Sequence, residues 1–383
     1  MIARNISWKL ACLLLTILLL ASFTFAKTEF GALQGASFRI DVPEPWNHIL
    51  IVYYHGYSAE HAGTKFDPQQ PANPVLQALL NHGYAVIQSG YSKGGWAVEQ
   101  ALPETEALRQ YFVEKYGTPM QSYVAGHSMG GFLTAATIES HPERYVAGLD
   151  LCGAVASPIR LMTPAFDQLV VFDYYFPGAL PPPNRIPADF SVSPELIKRL
   201  VKRLNAKPAA AAIVRRLANA HANDQMAQAV AFVTYVIGDI EQRAGGNPFD
   251  NRNTIYTGTG ADPEVNDHVG RYPADPGALD YLQKYQTLTG ELTRPVLAVH
   301  TTYDDIVPQS VPNGYSILTR TKGDGDRFVQ QYVKADGHCN INPDETATAF
   351  EELRHWKETG EAPKAGWLNV PKPRAKLMAN KKK

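Results

Sequence analysis

With 383 residues, 45% of them apolar, and a formal net charge of −1, the chain is long enough for one large packed core or a core carrying a substantial insertion. That composition excludes a disordered polypeptide, and the charge argues against a nucleic-acid partner.

The first 26 residues stand apart. Arg4 and Lys9 precede an apolar run, Leu10 to Phe25, that ends in small residues up to Ala26. A basic start, a hydrophobic stretch and a small-residue cleavage site predict a secretory signal peptide over 1–26, removed rather than kept as an anchor. Its loss lowers 36 Lys+Arg to 34 against 37 Asp+Glu, a mature net charge of −3. No later stretch is apolar enough to cross a membrane, so a secreted protein, periplasmic or extracellular, is expected. Cys12 leaves with the leader, and Cys152 and Cys339 remain as an even pair in an oxidising compartment.

Short apolar runs then alternate with helical patterns. Strands are predicted at 38–42, 49–54, 84–88, 123–125, 146–151, 296–299 and 328–333. Helices are predicted at 75–81, 97–116, 130–141, 311–320 and 345–359. Such alternation predicts the α/β class, a mostly parallel sheet flanked by helices. From Pro158 the alternation stops, the chain passes Pro181-Pro182-Pro183, and an Ala-rich helical stretch follows from Pro194 to Asp239. A segment that long forms its own small helical cap. The expected organisation is a leader (1–26), a first core part (27–157), a mainly helical cap (158–290), a second core part (291–370) and a basic tail (371–383).

The chemistry concentrates at "SYVAGHSMGGFLTAA". A strand runs into Gly126, and Ser128 sits between Gly126 and Gly130 before an apolar helical run. Glycines two positions either side keep side chains out of a sharp strand–turn–helix corner that thrusts the hydroxyl outward. The helix that follows aims its free N–H groups at the serine oxygen. A serine hydroxyl needs a base, and the base an orienting acid, in the chain order serine, acid, histidine for this topology. Beyond the cap, "PVLAVHTTYDDIVP" is a strand and turn carrying Asp304 and Asp305, and "FVQQYVKADGHCNI" is a strand and loop carrying His338. Both lie just past strand C-termini, where open α/β sheets place their sites. Asp150 is the weaker candidate acid. Histidines 82, 141 and 355 fall on or beside helices, 221 and 268 fall in the cap, and His127 reads as a packing neighbour of the serine.

These motifs resemble the α/β-hydrolase superfamily, and in particular its serine esterases, over the whole mature chain except the cap. "GHSMGG" is similar to the nucleophile elbow, "TTYDDIVP" to the Asp-x-x-Val-Pro acid loop, and "DGHC" to the histidine loop, with Thr301 standing where many members have glycine. The resemblance implies a catalytic triad of Ser128, Asp304 and His338, with Asp305 as a turn neighbour. It implies an oxyanion hole from the amides of Met129, the residue after the nucleophile, and Tyr57, in the His-Gly-x-like stretch "IVYYHGYS". The C-terminal end is more weakly similar to tannase and feruloyl-esterase-like proteins. Those carry a cysteine before the serine that pairs with the one after the histidine. Here His127 holds that position, so a Cys152–Cys339 bridge is the substitute expectation.

Aromatics gather near the expected mouth, and Tyr91, Trp96 and Phe172 are candidate walls of a pocket for an apolar or aromatic acyl or alcohol group, against the plainer reading of core packing. The expected activity is hydrolysis of a small-molecule carboxylic ester through an acyl-enzyme. The rivals are a prolyl-oligopeptidase-like peptidase or an acyltransferase on the same triad, and a non-catalytic binding protein on a hydrolase fold. No metal cluster or dinucleotide fingerprint is evident, so no metal and no cofactor is expected.

Overall fold

The computed structural model describes residues 27–156 and 158–371. The expected leader and the basic tail beyond 371 lie outside the described residues.

One nine-stranded sheet organises the chain, in the order β1-β2-β5-β3-β7-β8-β9-β10-β11. Its strands are β1 (Lys27–Leu33), β2 (Ala36–Val42), β3 (Ile49–Tyr54), β5 (Ala85–Ser89), β7 (Gln121–His127), β8 (Ala147–Leu151), β9 (Val296–Tyr303), β10 (Phe328–Asp336) and β11 (Gly366–Trp367). Only the β1–β2 and β2–β5 pairings are antiparallel. From β5 to β11 every pairing is parallel. The α/β class with a mostly parallel, helix-flanked sheet is what the chain forms.

The reason lies in the strand sequences. β3, ILIVYY, is buried at every position, as a strand covered on both faces must be. Leu50, Val52 and Tyr54 point into one core layer while Ile49, Ile51 and Tyr53 point into the other. The first layer is completed by α2 (Val98–Tyr116), α3 (Met129–Ser140) and α10 (Ser310–Thr321); the second by α1 (Pro74–Asn81) and α11 (Pro343–Thr359). α11 begins at a capping box, Asn342 with Glu345, and stops at Gly360 in the left-handed conformation.

Between β8 and β9 come α4 (Pro158–Tyr175), α5 (Pro194–Ala206), α6 (Pro208–Leu217), α7 (Asn223–Ala244), α8 (Asp262–His268) and α9 (Pro276–Gln286). α4, not singled out in the sequence within the mainly helical segment, starts at Pro158 and carries Pro164 inside it. A second, two-stranded sheet pairs β4 (Ser58–Ala62) with β6 (Lys93–Gly95). Among the described residues no helix is long and apolar enough to cross a membrane.

Candidate active site

Ser128 occupies the turn between β7 and α3 with φ 58° and ψ −120°, a conformation a non-glycine residue adopts only when its surroundings hold it there. What holds it is a set of backbone bonds. Its N–H donates to Leu151 O at 3.0 Å, and its carbonyl accepts from Gly131 and Ala154 at 2.9 and 3.1 Å. The flanking glycines are required by contact. A Cβ on Gly126 would lie 2.3 Å from Gly130 O, and one on Gly130 would lie 2.1 Å from Tyr54 O.

His338 follows β10, and its Nε2 lies 2.8 Å from Ser128 Oγ. Its Nδ1 lies 2.7 Å from Asp304 Oδ2. Asp304 is 1% exposed, and its other oxygen accepts the N–H groups of Ile306 and Val307 at 3.0 and 2.8 Å. Burial alone would raise its pKa. The hydrogen bond and charge of His338, with those two amides, more than offset this and hold it below the ordinary carboxylate value. A carboxylate ionised at Nδ1 fixes the tautomer that leaves Nε2 free to accept the serine proton. The three residues thus lie in one hydrogen-bonded line.

The neighbours of this line have separate duties. Thr301, the departure from glycine, donates to both Tyr303 O and Gly337 O, tying the acid loop to the histidine loop. Asp305 accepts from Gln225 Nε2 on α7 at 3.0 Å rather than facing the imidazole. Cys152 and Cys339 form a disulfide with Cα atoms 5.2 Å apart. It joins the residue after Leu151, whose carbonyl holds Ser128, to the residue after His338. His127 lies 2.9 Å from Tyr53 Oη, and burial, reinforced by His338, lowers its pKa to about 4, so it stays neutral beside the serine. Asp150 is buried under the elbow, where burial pushes its carboxyl up to about 8, and the carboxylate on His338 Nδ1 is that of Asp304.

Gly56, which precedes Tyr57, lies against the elbow. A Cβ on Gly56 would be 3.3 Å from both Ser128 Cβ and His127 O. The first turn of α3, headed by Met129, presents helix N–H groups that have no intrahelical carbonyl. Two amide-bearing segments therefore flank the hydroxyl.

The expected pocket walls need correcting. Tyr91, Trp96 and Phe172 are 1%, 4% and 2% exposed and belong to the core. Tyr91 stacks on His55, Trp96 packs near Phe132, and Phe172 stacks on Phe176. Large rings find more contact inside the core than at a mouth. A cavity of about 820 Å³ lies instead between cap and core, walled by Val155, Leu161, Val171, Val233, Val311 and Leu318 among others. Val155 follows the Ala154 amide that bonds Ser128, and Asp305, another wall residue, follows Asp304. No lysine or arginine lines it among the described residues. Also among these residues, no group of three or more His, Cys, Asp or Glu is placed to hold a metal ion.

The sheet order, the strand–serine–helix elbow and the chain order Ser, Asp, His are those of the α/β-hydrolase fold. No family model matches the chain. In sequence it is similar to an o-phthalyl amidase of Xanthobacter agilis, 24% identical over an alignment 418 positions long, gaps included, that covers 88% of each chain. In structure it is similar to a Pyrococcus furiosus esterase (TM-score 0.44, 13% identity, 88% of each chain). It is also similar to proline iminopeptidase of Mycobacterium smegmatis (TM-score 0.44, 15% identity, 88% of this chain and 100% of that one).

Proposed function

We propose that the protein is an exported serine hydrolase that cleaves carboxylic esters through an acyl-enzyme. The observation that carries this reading is the continuous Ser128–His338–Asp304 line, 2.8 and 2.7 Å, ending on a buried, ionised carboxylate. Ser128 Oγ attacks the ester carbonyl carbon as His338 Nε2 takes its proton. Asp304 steadies the imidazolium so formed. The carbonyl oxygen gathers negative charge and accepts hydrogen bonds donated by the amides of Tyr57 and Met129. His338 then passes its proton to the alkoxide leaving group, the C–O bond breaks, and the alcohol departs. Water, deprotonated by His338, attacks the acyl carbon; the bond to Ser128 Oγ then breaks, His338 returns the proton to that oxygen, and the acid leaves.

The cavity, whose walls include Val155 and the acid-loop residues Asp305 and Ile306, takes an apolar acyl or alcohol group, and its size lies within the range of small-molecule sites. Because its walls include the carboxyl groups of Asp167 and Asp305, an uncharged group suits it better than a carboxylate, whose burial without a partner is costly. Export is supported by the leader-like start and by the Cys152–Cys339 bridge, which persists in oxidising compartments. A second reading, hydrolysis of an amide by the same steps, is favoured by the likeness to the o-phthalyl amidase.

Fluorophosphonate labelling tests the first premise. The wild-type protein is expected to be modified at Ser128, and Ser128→Ala to be inert. Matched aryl esters and anilides of one acyl group then separate the two readings by kcat/KM. Unlabelled Ser128 in folded protein would end both.

A further inference from the structure

The cap helix α7 does more than sit over the site. Its residues Phe232, Tyr235, Asp239 and Arg243, spaced three, four and four apart, lie on one helical face. That face is applied to the small β4–β6 sheet. Phe232 meets the Tyr57 ring edge-on at 5.7 Å, and Tyr235 does so at 6.4 Å. The Tyr235 hydroxyl donates to Ala59 O at 2.5 Å. Asp239 accepts the backbone N–H of Trp96 at 2.6 Å and is paired with Arg243 at 2.9 Å. The guanidinium of Arg243 donates in turn to Gly94 O. Gly95 permits this approach, since a Cβ there would lie 2.4 Å from Asp239 Oδ2.

Each of these contacts falls on β4, on β6 or on a residue adjoining them. In the register Ser58 pairs with Gly95 and Ala62 with Lys93, and Ser58 is the residue after Tyr57. The segment that carries the Tyr57 amide continues directly from β3, and on the core side Tyr91 stacks on His55 and donates to its carbonyl. On its other side it is gripped by a helix from the cap.

We propose that Asp239, with Arg243 as its partner, is a positioning residue that sets the Tyr57 amide against the nucleophile, so that the cap completes the oxyanion hole. This deepens the hydrolase reading and rests on it. An amide that drifts by about 1 Å from the developing oxyanion loses much of its effect on the barrier while substrate still binds. Asp239→Ala removes the acceptor for Trp96 and leaves Arg243 unpaired. Asp239→Asn keeps an oxygen for that bond and is the conservative control.

The test uses the full-length mature protein, with an aryl ester as substrate and a trifluoromethyl ketone as the oxyanion-forming inhibitor. For Asp239→Ala, kcat is expected to fall about 10- to 100-fold with KM within about threefold, and inhibitor affinity to fall by the same factor as kcat. Asp239→Asn is expected to recover most of the loss. The proposal is overturned if Asp239→Ala leaves kcat within about twofold of wild type, if the loss appears in KM alone, or if inhibitor affinity does not follow kcat. Should Asp239→Ala fail to fold, Arg243→Gln, which removes the ion pair with Asp239 and the guanidinium bonds to Gly94 and Gln100 but leaves Asp239 as the acceptor for Trp96, is read by the same criteria. Wild-type protein that does not label at Ser128 points to failure of the hydrolase reading. Normal labelling with an indifferent Asp239→Ala points to failure of this proposal alone.

Discussion

Asp150 offers the clearest quantitative test of the elbow's surroundings. Its carboxyl is 1% exposed and wedged between backbones, since a Cβ on Gly131 or Gly153 would come within 2.1 or 1.9 Å of Oδ1. Burial raises its pKa from 3.8 to about 8, only partly offset by the Gly153 amide. The folded protein therefore keeps this proton through a window, from about pH 4 to about pH 8, in which the unfolded chain has released it. Stability contributed by this group must fall as pH rises through that window. One proton of difference is worth about 1.4 kcal/mol per pH unit, hence about 3 kcal/mol between pH 5 and pH 7. Asp150→Asn keeps the shape and cannot titrate. Its absolute stability also carries the penalty of a second buried N–H, so the pH slope is the informative quantity. Urea unfolding at the two pH values, disulfide intact, should show a drop for the parent that exceeds the variant's by about 3 kcal/mol. The neutral His127 pulls stability the opposite way with pH, but it does so in both proteins and cancels. Equal pH dependence in parent and variant would refute the claim that Asp150 is held protonated.

Two further outcomes are expected. Asp304→Asn should lower kcat by about ten-thousand-fold, because the amide favours the wrong imidazole tautomer, while substrate affinity and far-UV circular dichroism stay near wild type; a loss below about tenfold would argue against its role. Cys152→Ser/Cys339→Ser should lower unfolding stability by about 5 kcal/mol for a closed loop spanning 187 residues, and should slow turnover by loosening the histidine loop. Urea midpoints and kcat at low temperature check both effects, and unchanged turnover would mean that Thr301 and the acid loop suffice to hold His338.

Much of the core was legible because parallel strands buried on both faces must be written as unbroken apolar runs, as in β3. The elbow was legible for a related reason: glycine is the residue that fits where Gly126 and Gly130 touch backbone. β1 escaped notice because its half-exposed sequence, KTEFGAL, lacks such a run. β4 and β6 escaped because they are short and are held by side chains of α7 some 140 or more residues away in the chain. The paired glycines 94 and 95 were the available signal, a mark of close approach whose partner no local pattern could name. Trp96, Tyr91 and Phe172 were misplaced because aromatic clustering in sequence does not distinguish a wall from an interior.

The place where the cap joins the sheet has a consequence for how this protein can change. β8 and β9 are adjacent and parallel, with Gly148 opposite Val296, so the polypeptide leaves at the C-terminal end of one strand and re-enters at the N-terminal end of its neighbour, and the inserted helices form part of that crossover. A crossover anchored on two neighbouring strands can lengthen, shorten or be swapped wholesale while the strands beneath keep their places. Selectivity can in this way diverge between descendants of one ancestor without disturbing the reacting groups, provided each replacement still reaches down to grasp the loop bearing residue 57.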